Sequence, residues 1–265
     1  MTNLSHYEKS TESVRFLVVN ADDVGLCPGV NRGTLDAVHA GTVTSISVFV
    51  GPDFYVDFRP YMEAGVSVGL HLNLTLGEPC TAFQEIPSLV DRAGRFIHDR
   101  ETLFSRVKGV DAEREMRSQV DLFRTLAGRN PSHLDTHKHL HLLNPGLFHV
   151  ASRLARELNV PLRARDDKGR DDCRRAQVRS TDCFLGDVRP APYWTVGRLE
   201  EQIAQVPVGT TELMCHLGTN MEEIPGLWYL HERETETETF CSERAKLILS
   251  ALVLTGRRGF RRRNG

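Results

Sequence analysis

Short apolar segments alternate with helix-like segments along nearly the whole 265-residue chain, and this alternation limits the folds open to it. Examples of the apolar segments are R-F-L-V-V at 15–19, V-S-V-G-L-H-L-N-L at 66–74 and E-L-M-C-H at 212–216. Residues 111–127 carry apolar side chains at helical spacing, and their charged remainder suits an exposed helix face. Strands that alternate with helices predict a mostly parallel sheet with crossover helices.

About seven such repeats favour a barrel or barrel-like α/β fold in a single domain, with a flat doubly wound sheet as the alternative. We predict this domain over 14–256, between a flexible segment at 1–13 and a basic tail at 257–265. Two further strands are predicted at 42–50 and 160–164. Further helices are predicted at 29–40, 54–64, 145–158, 196–205 and 241–253. Irregular segments are predicted at 77–100 and 166–182, the second as a solvated loop because it is almost entirely polar.

Bulk composition excludes several classes of function. A net charge of -2 gives no reason to expect a nucleic-acid partner. No apolar run approaches the ~20 residues that a membrane span needs. The polar start lacks the features of a signal peptide, so we expect a cytoplasmic location. The six cysteines form no C-x-x-C pair, and no P-loop or G-x-G-x-x-G pattern follows the first strand.

Polar clusters come directly at the ends of four predicted strands. The first cluster holds Asn20 with two aspartates, the second holds His71 and Asn73, the third is the histidine run at 133–141, and the fourth is His216. The carboxyl ends of parallel strands gather at one face of an α/β barrel or at the switch point of an open sheet. We therefore expect these side chains to meet in one pocket.

The adjacent carboxylates Asp22 and Asp23 open the first cluster. In extended chain they point to opposite sides, but a turn can aim both inward. Beside a cation, one carboxylate can bind the metal while the other acts as a base. The alternative is that one of them caps a helix. We favour the functional interpretation because a strand precedes the pair and Gly25 follows it.

The run H-L-D-T-H-K-H-L-H at 133–141 contains four of the eleven histidines. On a strand, all five odd positions of the run share one face. On a helix, only His133, His137 and His141 share a face. A catalytic zinc site takes about three protein ligands and leaves a position for water. Some members must therefore orient ligands or contact substrate. For His71 and His216 the competing interpretation is a buried core histidine.

Four motifs together resemble the YdjC-like carbohydrate deacetylases, which include the chito-oligosaccharide deacetylases. They are V-N-A-D-D-V-G-L at 19–26, V-G-L-H-L-N-L-T at 68–75, H-L-D-T-H-K-H-L-H at 133–141 and L-M-C-H at 213–216. The resemblance spans most of the chain. It implies a distorted (β/α) TIM-like barrel, one divalent cation (Mg²⁺ or Zn²⁺), and hydrolysis of an N-acetyl group on an amino sugar or chito-oligosaccharide with metal-bound water as the nucleophile.

The resemblance also implies roles for individual residues. Asp23, His71 and His137 correspond to the metal ligands, Asp22 to the catalytic base and His216 to the acid. Residues expected at the substrate or behind the ligands are Asn73, Asp135, His139, His141 and Arg163, the last because it matches a recurrent family arginine. Tyr193, Trp194, Trp228 and Tyr229 could stack on sugar rings, although ordinary core packing explains them equally well.

The chain departs from the family pattern after the late histidine. The family usually has proline there, whereas this sequence reads H-L-G at 216–218. Two rival functions stay open: a metal-dependent phosphoesterase, which would often hold two ions, and a non-catalytic sugar-binding protein. The expected partner is a small carbohydrate, without nucleic acid or membrane, and a homo-oligomer stays open.

Overall fold

The computed structural model describes residues 14–222 and 228–256, and over these residues the chain forms seven strands and ten α-helices. The strands are β1 (Arg15–Val24), β2 (Ser45–Val48), β3 (Ser67–Leu72), β4 (Leu134–Thr136), β5 (Cys183–Leu185), β6 (Gly209–Cys215) and β7 (Val253–Leu254). The helices are α1 (Pro28–His39), α2 (Arg59–Glu63), α3 (Arg100–Arg106), α4 (Gly109–Ala127), α5 (Leu140–Leu143), α6 (Pro145–Glu157), α7 (Asp167–Arg175), α8 (Val196–Ala204), α9 (His231–Cys241) and α10 (Glu243–Leu249). The predicted terminal segments 1–13 and 257–265 lie outside the described residues.

The strands form one curled parallel sheet. Its order is β4-β3-β2-β1-β6-β5, and β7 pairs with the start of β1. The sheet makes a half-barrel that helices surround, which confirms the predicted distorted TIM-like barrel over the flat doubly wound alternative. Because every strand pair runs parallel, the strands β1, β3 and β6 end at the same face of the sheet.

The central strands are apolar along almost their whole length because helices cover them. Every residue of β2 and β3 is buried, as is β1 from Leu17 onward. Near-continuous apolar strands are typical of parallel sheets that are covered on both faces. This core fixes the strand ends from which the polar side chains emerge.

Local signals in the sequence account for several helix boundaries. Asn144 caps α6 by accepting a hydrogen bond from the backbone N–H of Leu147, and Thr195 caps α8 in the same way. The long helix α4 stops at Gly128, which adopts a left-handed φ of 66°.

The prediction of a solvated loop at 166–182 is wrong over the first half of this segment, which forms α7. Asp166 caps this helix through the N–H of Gly169, and ion pairs such as Lys168–Asp172 follow its exposed side. Cys173 turns into the core. One buried apolar side chain and spaced opposite charges thus suffice for a helix where overall polarity suggested none.

Three other predicted boundaries also differ. The strand expected at 160–164 is a single bridge between Leu162 and Leu134, because Pro161 has no N–H to donate to a ladder. The last helix predicted over 241–253 is confined to α10, because extended Ser242 separates it from the preceding helix α9 and β7 begins at Val253. The helix predicted at 54–64 shortens to α2, which begins one residue before Pro60.

Among the described residues, no helix is both long enough and apolar enough to cross a membrane.

Candidate metal centre and active site

A cavity of about 940 Å³ opens where the strands end, and the polar clusters meet in it. Its walls include the predicted residues Asp22, Asp23, His71, His137, His139 and His216. The aspartates lie near the end of β1 and His71 near the end of β3, while His137 and His216 directly follow β4 and β6. The expected convergence is therefore present.

A distortion of β1 brings the two aspartates to the same side. Asp23 has a left-handed φ of 66°, and the pairing of β1 with β2 slips between Ala21 and Val24. Asp22 and Asp23 consequently both line the cavity. Neither caps α1, because the residue at that cap is Cys27 and no side chain bonds there. The alternative interpretation of the pair as a helix cap is thus wrong.

Asp23, His71 and His137 have the spacing of a metal site. Asp23 Oδ1 lies 3.2 Å from His71 Nε2 and 3.4 Å from His137 Nδ1. Ligands about 2.0–2.2 Å from one ion, at ordinary coordination angles, are separated by roughly 2.9–3.5 Å. Asp23 Oδ1 is buried and accepts no hydrogen bond. These three residues therefore fit a divalent cation.

His71 is oriented by a carboxylate behind it. Its Nδ1 lies 2.7 Å from Asp135 Oδ1, which leaves Nε2 facing Asp23. Burial lowers the pKa of His71, but the charge and hydrogen bond of Asp135 and the nearby carboxylate of Asp23 outweigh burial and raise the pKa to about 10. Without an ion, His71 therefore holds a proton between two carboxylates, at a place where a metal-binding protein would hold a cation.

The histidine run is neither one strand nor one helix. His133 and Asp135 share a face of the chain and both contact Ser47. After His137, the consecutive left-handed residues Lys138 and His139 turn the chain into α5. Burial lowers the pKa of His137 and so favours the neutral imidazole, which is the form that binds a metal.

Arg163 ties the buried carboxylates together. Its guanidinium donates to both oxygens of Asp22 at 2.6 and 2.7 Å and to Glu212 at 2.8 Å, and it forms an ion pair with Asp135 at 2.9 Å. The side chain is fully buried. The arginine expected near the site from the sequence thus lies directly behind Asp22 and fixes its orientation.

The buried charges of the site leave room for a dication. Four carboxylates lie here with the guanidiniums of two arginines, and the groups involved are Asp22, Asp23, Asp135, Glu212, Arg163 and Arg233. Arg163 and Arg233 balance half of the negative charge if all four carboxylates are ionised, and the proton on His71 balances one charge more. Uncompensated buried charge is costly, so a dication that displaces this proton completes the balance.

Helix α9 contributes two residues that the sequence did not single out. Arg233 Nη2 donates to Asp23 Oδ2 at 2.6 Å. Glu236 accepts hydrogen bonds from the N–H groups of His216 and Trp194 and from the Tyr229 hydroxyl. In the sequence, Arg233 lies two residues before the repeat T-E-T-E-T at 235–239 and Glu236 lies within it, and no apolar periodicity marks this segment as a helix.

His216 is placed at the site by this helix rather than by a following proline. Glu236 accepts its N–H at 2.8 Å, and Thr237 bonds both the N–H and the carbonyl of Gly218. His216 Nε2 lies 3.9 Å from Asp23 Oδ2. Burial lowers the pKa of His216 to about 4, so the imidazole is neutral at neutral pH.

Of the remaining predicted residues, His139 lines the cavity and two do not. His141 uses both ring nitrogens inside the protein, with Thr136 at 2.7 Å and the carbonyl of Arg163 at 2.9 Å. Asn73 binds the backbone of its own turn through the N–H of Thr75. Both of these side chains brace the strand ends rather than face the cavity.

The four aromatic residues separate into core and cavity wall. Trp194 is fully buried and donates its indole N–H to the carbonyl of Met214. Tyr193, Trp228 and Tyr229 line the cavity, and Trp228 is 59% exposed.

The family model of the YdjC-like proteins matches residues 16–251. The chain therefore belongs to the YdjC-like protein family, as the four sequence motifs predicted.

Named relatives cover nearly the whole chain. A carbohydrate deacetylase from Brevibacillus brevis is 32% identical over 238 residues, which is 87% of this chain and 92% of the relative. A chitooligosaccharide deacetylase from Yersinia pestis is 28% identical over 249 residues, 88% of this chain and 93% of that protein. A crystal structure of an Enterococcus faecalis V583 protein, 27% identical, superposes with a TM-score of 0.79 and covers 92% of this chain and 98% of that one.

Proposed function

We propose that this protein is a metal-dependent carbohydrate deacetylase that removes N-acetyl groups from an amino sugar or a chito-oligosaccharide. The observation that carries the proposal is the constellation of Asp23, His71 and His137 beside the separately held carboxylate of Asp22. The named deacetylases among its relatives support the same reaction class.

One divalent ion would be held by Asp23, His71 and His137. Such an ion supplies Lewis acidity and an activated water at neutral pH. Mg²⁺ and Zn²⁺ are the two candidates from the sequence, and the two imidazole donors favour Zn²⁺ because Mg²⁺ prefers oxygen ligands. Asp135 would keep His71 in the orientation that presents Nε2.

Asp22 would be the general base. Its carboxylate lines the cavity beside Asp23 and is held by two hydrogen bonds from Arg163 and one from Asn20 at 2.7 Å. A carboxylate fixed in this way can accept the proton of the attacking water without reorienting. The adjacent residue is then free to serve as the metal ligand.

His216 would act at the leaving nitrogen. Hydrolysis consumes one water, breaks the amide C–N bond and gives acetate and an amine, so the departing nitrogen must gain a proton. Because burial lowers the pKa of His216 to about 4, its ring is neutral before the reaction. We propose that His216 receives a proton within the site and passes it to the amine.

The cavity suits a carbohydrate longer than the acetamido group itself. Its volume lies at the upper end of the range for small-molecule sites. Trp228 offers an exposed indole at its wall, and Phe184 and Tyr193 add further rings. Aromatic faces of this kind pack against sugar rings. The proposed partner is therefore a small carbohydrate, and the cytoplasmic location expected from the sequence stays a prediction.

A two-metal phosphoesterase is less well supported by the contacts. Among the described residues, the other group with metal-ligand spacing is Asp22, His71 and Asp135. Arg163 donates to Asp22 and forms an ion pair with Asp135 Oδ2, and Asp135 Oδ1 faces His71. A second ion there would have to displace a buried guanidinium.

Release of acetate from N-acetylated chito-oligosaccharides tests the proposal. We expect acetate and free amine in equal amounts, loss of both after treatment with a chelator, and recovery when Zn²⁺ or Mg²⁺ is returned. Phosphate release from phosphate esters, with no acetate from any acetylated sugar, would instead support the phosphoesterase. Sugar binding without any product would support the non-catalytic alternative.

A further inference from the structure

Arg233 is a buried cation in contact with a residue proposed to bind a cation. Its side chain is 3% exposed, Nη2 donates to Asp23 Oδ2 at 2.6 Å, and Nε donates to the carbonyl of Tyr229 at 2.8 Å. The remaining Nη1 is buried without a hydrogen-bond partner. A guanidinium at this position repels a metal ion, so Arg233 lowers the affinity of the site for the ion that Asp23 would bind.

The two oxygens of Asp23 have different surroundings because of Arg233. Oδ2 is held by the guanidinium, whereas Oδ1 accepts no hydrogen bond and faces the nitrogens of His71 and His137 at 3.2 and 3.4 Å. A free carboxylate can bind an ion through one oxygen or through both. With Oδ2 occupied, Asp23 offers a single ligand atom.

We propose that Arg233 is a positioning residue that restricts Asp23 to one ligand oxygen and weakens the site for the ion. The inference rests on the metal centre proposed above. Catalytic metal sites need a coordination position that the protein does not fill. Arg233 keeps that position from being taken by Asp23 Oδ2, at the expense of affinity through its positive charge.

The contacts of Arg233 also link the metal centre to the cavity wall. Its Nε holds the carbonyl of Tyr229, whose hydroxyl reaches Glu236 and whose neighbour is the exposed Trp228. The same side chain thus fixes the position of a metal ligand and of the aromatic segment that we propose contacts the sugar.

Zinc affinity of the Arg233→Met variant tests this inference without any substrate. Metal-free protein competes for Zn²⁺ with a chromogenic chelator at fixed pH. We expect Arg233→Met to bind Zn²⁺ at least tenfold more tightly than the parent, because a positive charge is removed and Asp23 Oδ2 is released. If Arg233 served only to hold the fold, its loss would leave affinity unchanged or reduce it, and that result would overturn the inference.

A matched control separates the position of the charge from net charge. Arg198→Met removes an equal charge from α8, where Arg198 donates to the carbonyl of Tyr193 and touches no carboxylate of the site. We expect its zinc affinity to equal that of the parent. Equal tightening in both variants would show a bulk charge effect and would also contradict the inference.

A second variant and a second readout test the inference even if Arg233→Met does not fold. Arg233→Gln can still donate to Asp23 but lacks the charge, and we expect the same direction of change. Co²⁺ in place of Zn²⁺ reports coordination directly, and we expect weaker visible absorption in Arg233→Met as Asp23 adds a ligand oxygen. A parent that binds neither ion would refute the metal site itself. Absent acetate release with these affinity shifts intact would refute only the proposed reaction.

Discussion

At the scale of single residues, the two adjacent aspartates differ in the arginine that holds each carboxylate. Arg163 bonds both oxygens of Asp22, whereas Arg233 bonds one oxygen of Asp23. The left-handed backbone at Asp23 brings both side chains to one cavity and costs of the order of 1 kcal/mol for a residue with a Cβ. Left-handed backbone at a residue with a Cβ is more frequent at functional sites than elsewhere in a fold.

Replacement of Asp22 by asparagine tests the proposed base. We expect acetate release to fall by about 10²–10⁴-fold, because an amide cannot take the proton from water. Zinc content should stay near that of the parent, since Asp22 is not one of the proposed ligands. Activity assays paired with metal analysis measure both quantities on one sample.

The control for Asp22→Asn is Glu212→Gln, which removes a negative charge from the opposite side of Arg163. Glu212 accepts from Arg163 Nε at 2.8 Å and is fully buried. If the loss in Asp22→Asn came only from unbalanced charge on Arg163, both variants would lose activity to the same degree. The role as base requires a much larger loss in Asp22→Asn.

Replacement of His71 by alanine should remove a ligand outright. Loss of a hydrogen-bond partner behind a metal ligand typically costs about 10–100-fold in affinity, and we expect the loss of the ligand itself to exceed this. Zinc bound per chain after dialysis is the measurement. The exposed His149 provides the comparison, and His149→Ala should keep its zinc. Full zinc content in His71→Ala would remove His71 from the metal centre.

At the scale of elements, β3 and the chain entering β4 pack so closely that only glycine fits at position 69 of β3. A Cβ built on Gly69 would lie 2.2 Å from the imidazole of His133. That imidazole contacts Ser47, which in turn donates to Asp135, the partner of His71. The absence of a side chain at Gly69 thus allows the ring to lie against the strand and supports the histidine that we propose binds metal.

Gly69→Ala should therefore disturb both the fold and the metal centre. We expect unfolding free energy to fall by about 1–3 kcal/mol, the usual cost of overpacking, and zinc affinity to fall with it. Denaturant unfolding and chelator competition measure the two effects. Gly197→Ala is the control, because no atom lies within 4 Å of a Cβ built there. An unaffected Gly69→Ala variant would mean that the strands can separate without cost.

Helix α9 carries a buried acid whose ionisation links stability to pH. Burial raises the pKa of Glu236 from 4.5 to about 7, although the hydrogen bonds to Tyr229 and to the backbone oppose this. The folded chain therefore holds the proton more tightly than the unfolded chain. This contribution to stability is fully present below pH about 4.5 and is lost as the pH rises through about 7.

Glu236→Gln should flatten this part of the pH profile. The side chain no longer titrates, so the change in unfolding free energy between pH 4.5 and 7 should shrink by up to roughly 3 kcal/mol. Urea unfolding at intervals of pH gives the profile. Glu238, exposed on the same helix, supplies the control, and Glu238→Gln should keep the parent's dependence. A steep profile in Glu236→Gln would assign the effect to another group.

At the scale of the whole molecule, the sequence predicted the parts of the site that follow from parallel strands. Asp22, Asp23, His71, His137 and His216 each come at the end of an apolar strand, and strands of one parallel sheet end at one face. Their meeting in one cavity needed no knowledge of side-chain contacts. The family motifs agreed because they are these same strand ends.

The parts of the site and fold that could not be predicted depend on how helices pack in three dimensions and not on the periodicity of apolar residues. Arg233 and Glu236 lie on a helix whose buried side includes charged residues, so no apolar periodicity identified it. The turn at Lys138 and His139 requires two consecutive residues with left-handed backbone, which is uncommon for any residue other than glycine. The sequence predicts a loop at 166–182 because the segment is almost entirely polar. Surface ion pairs and one buried cysteine nevertheless hold its first half as a helix.

We propose that three ligands from three strand ends hold one ion that is needed for deacetylation. Titration of metal-free protein with Zn²⁺, with acetate release from an N-acetylated chito-oligosaccharide as the readout, tests it most directly. We expect a linear rise in rate that breaks at one ion per chain. A break at two ions, or full acetate release in the presence of chelator and no added metal, would contradict it.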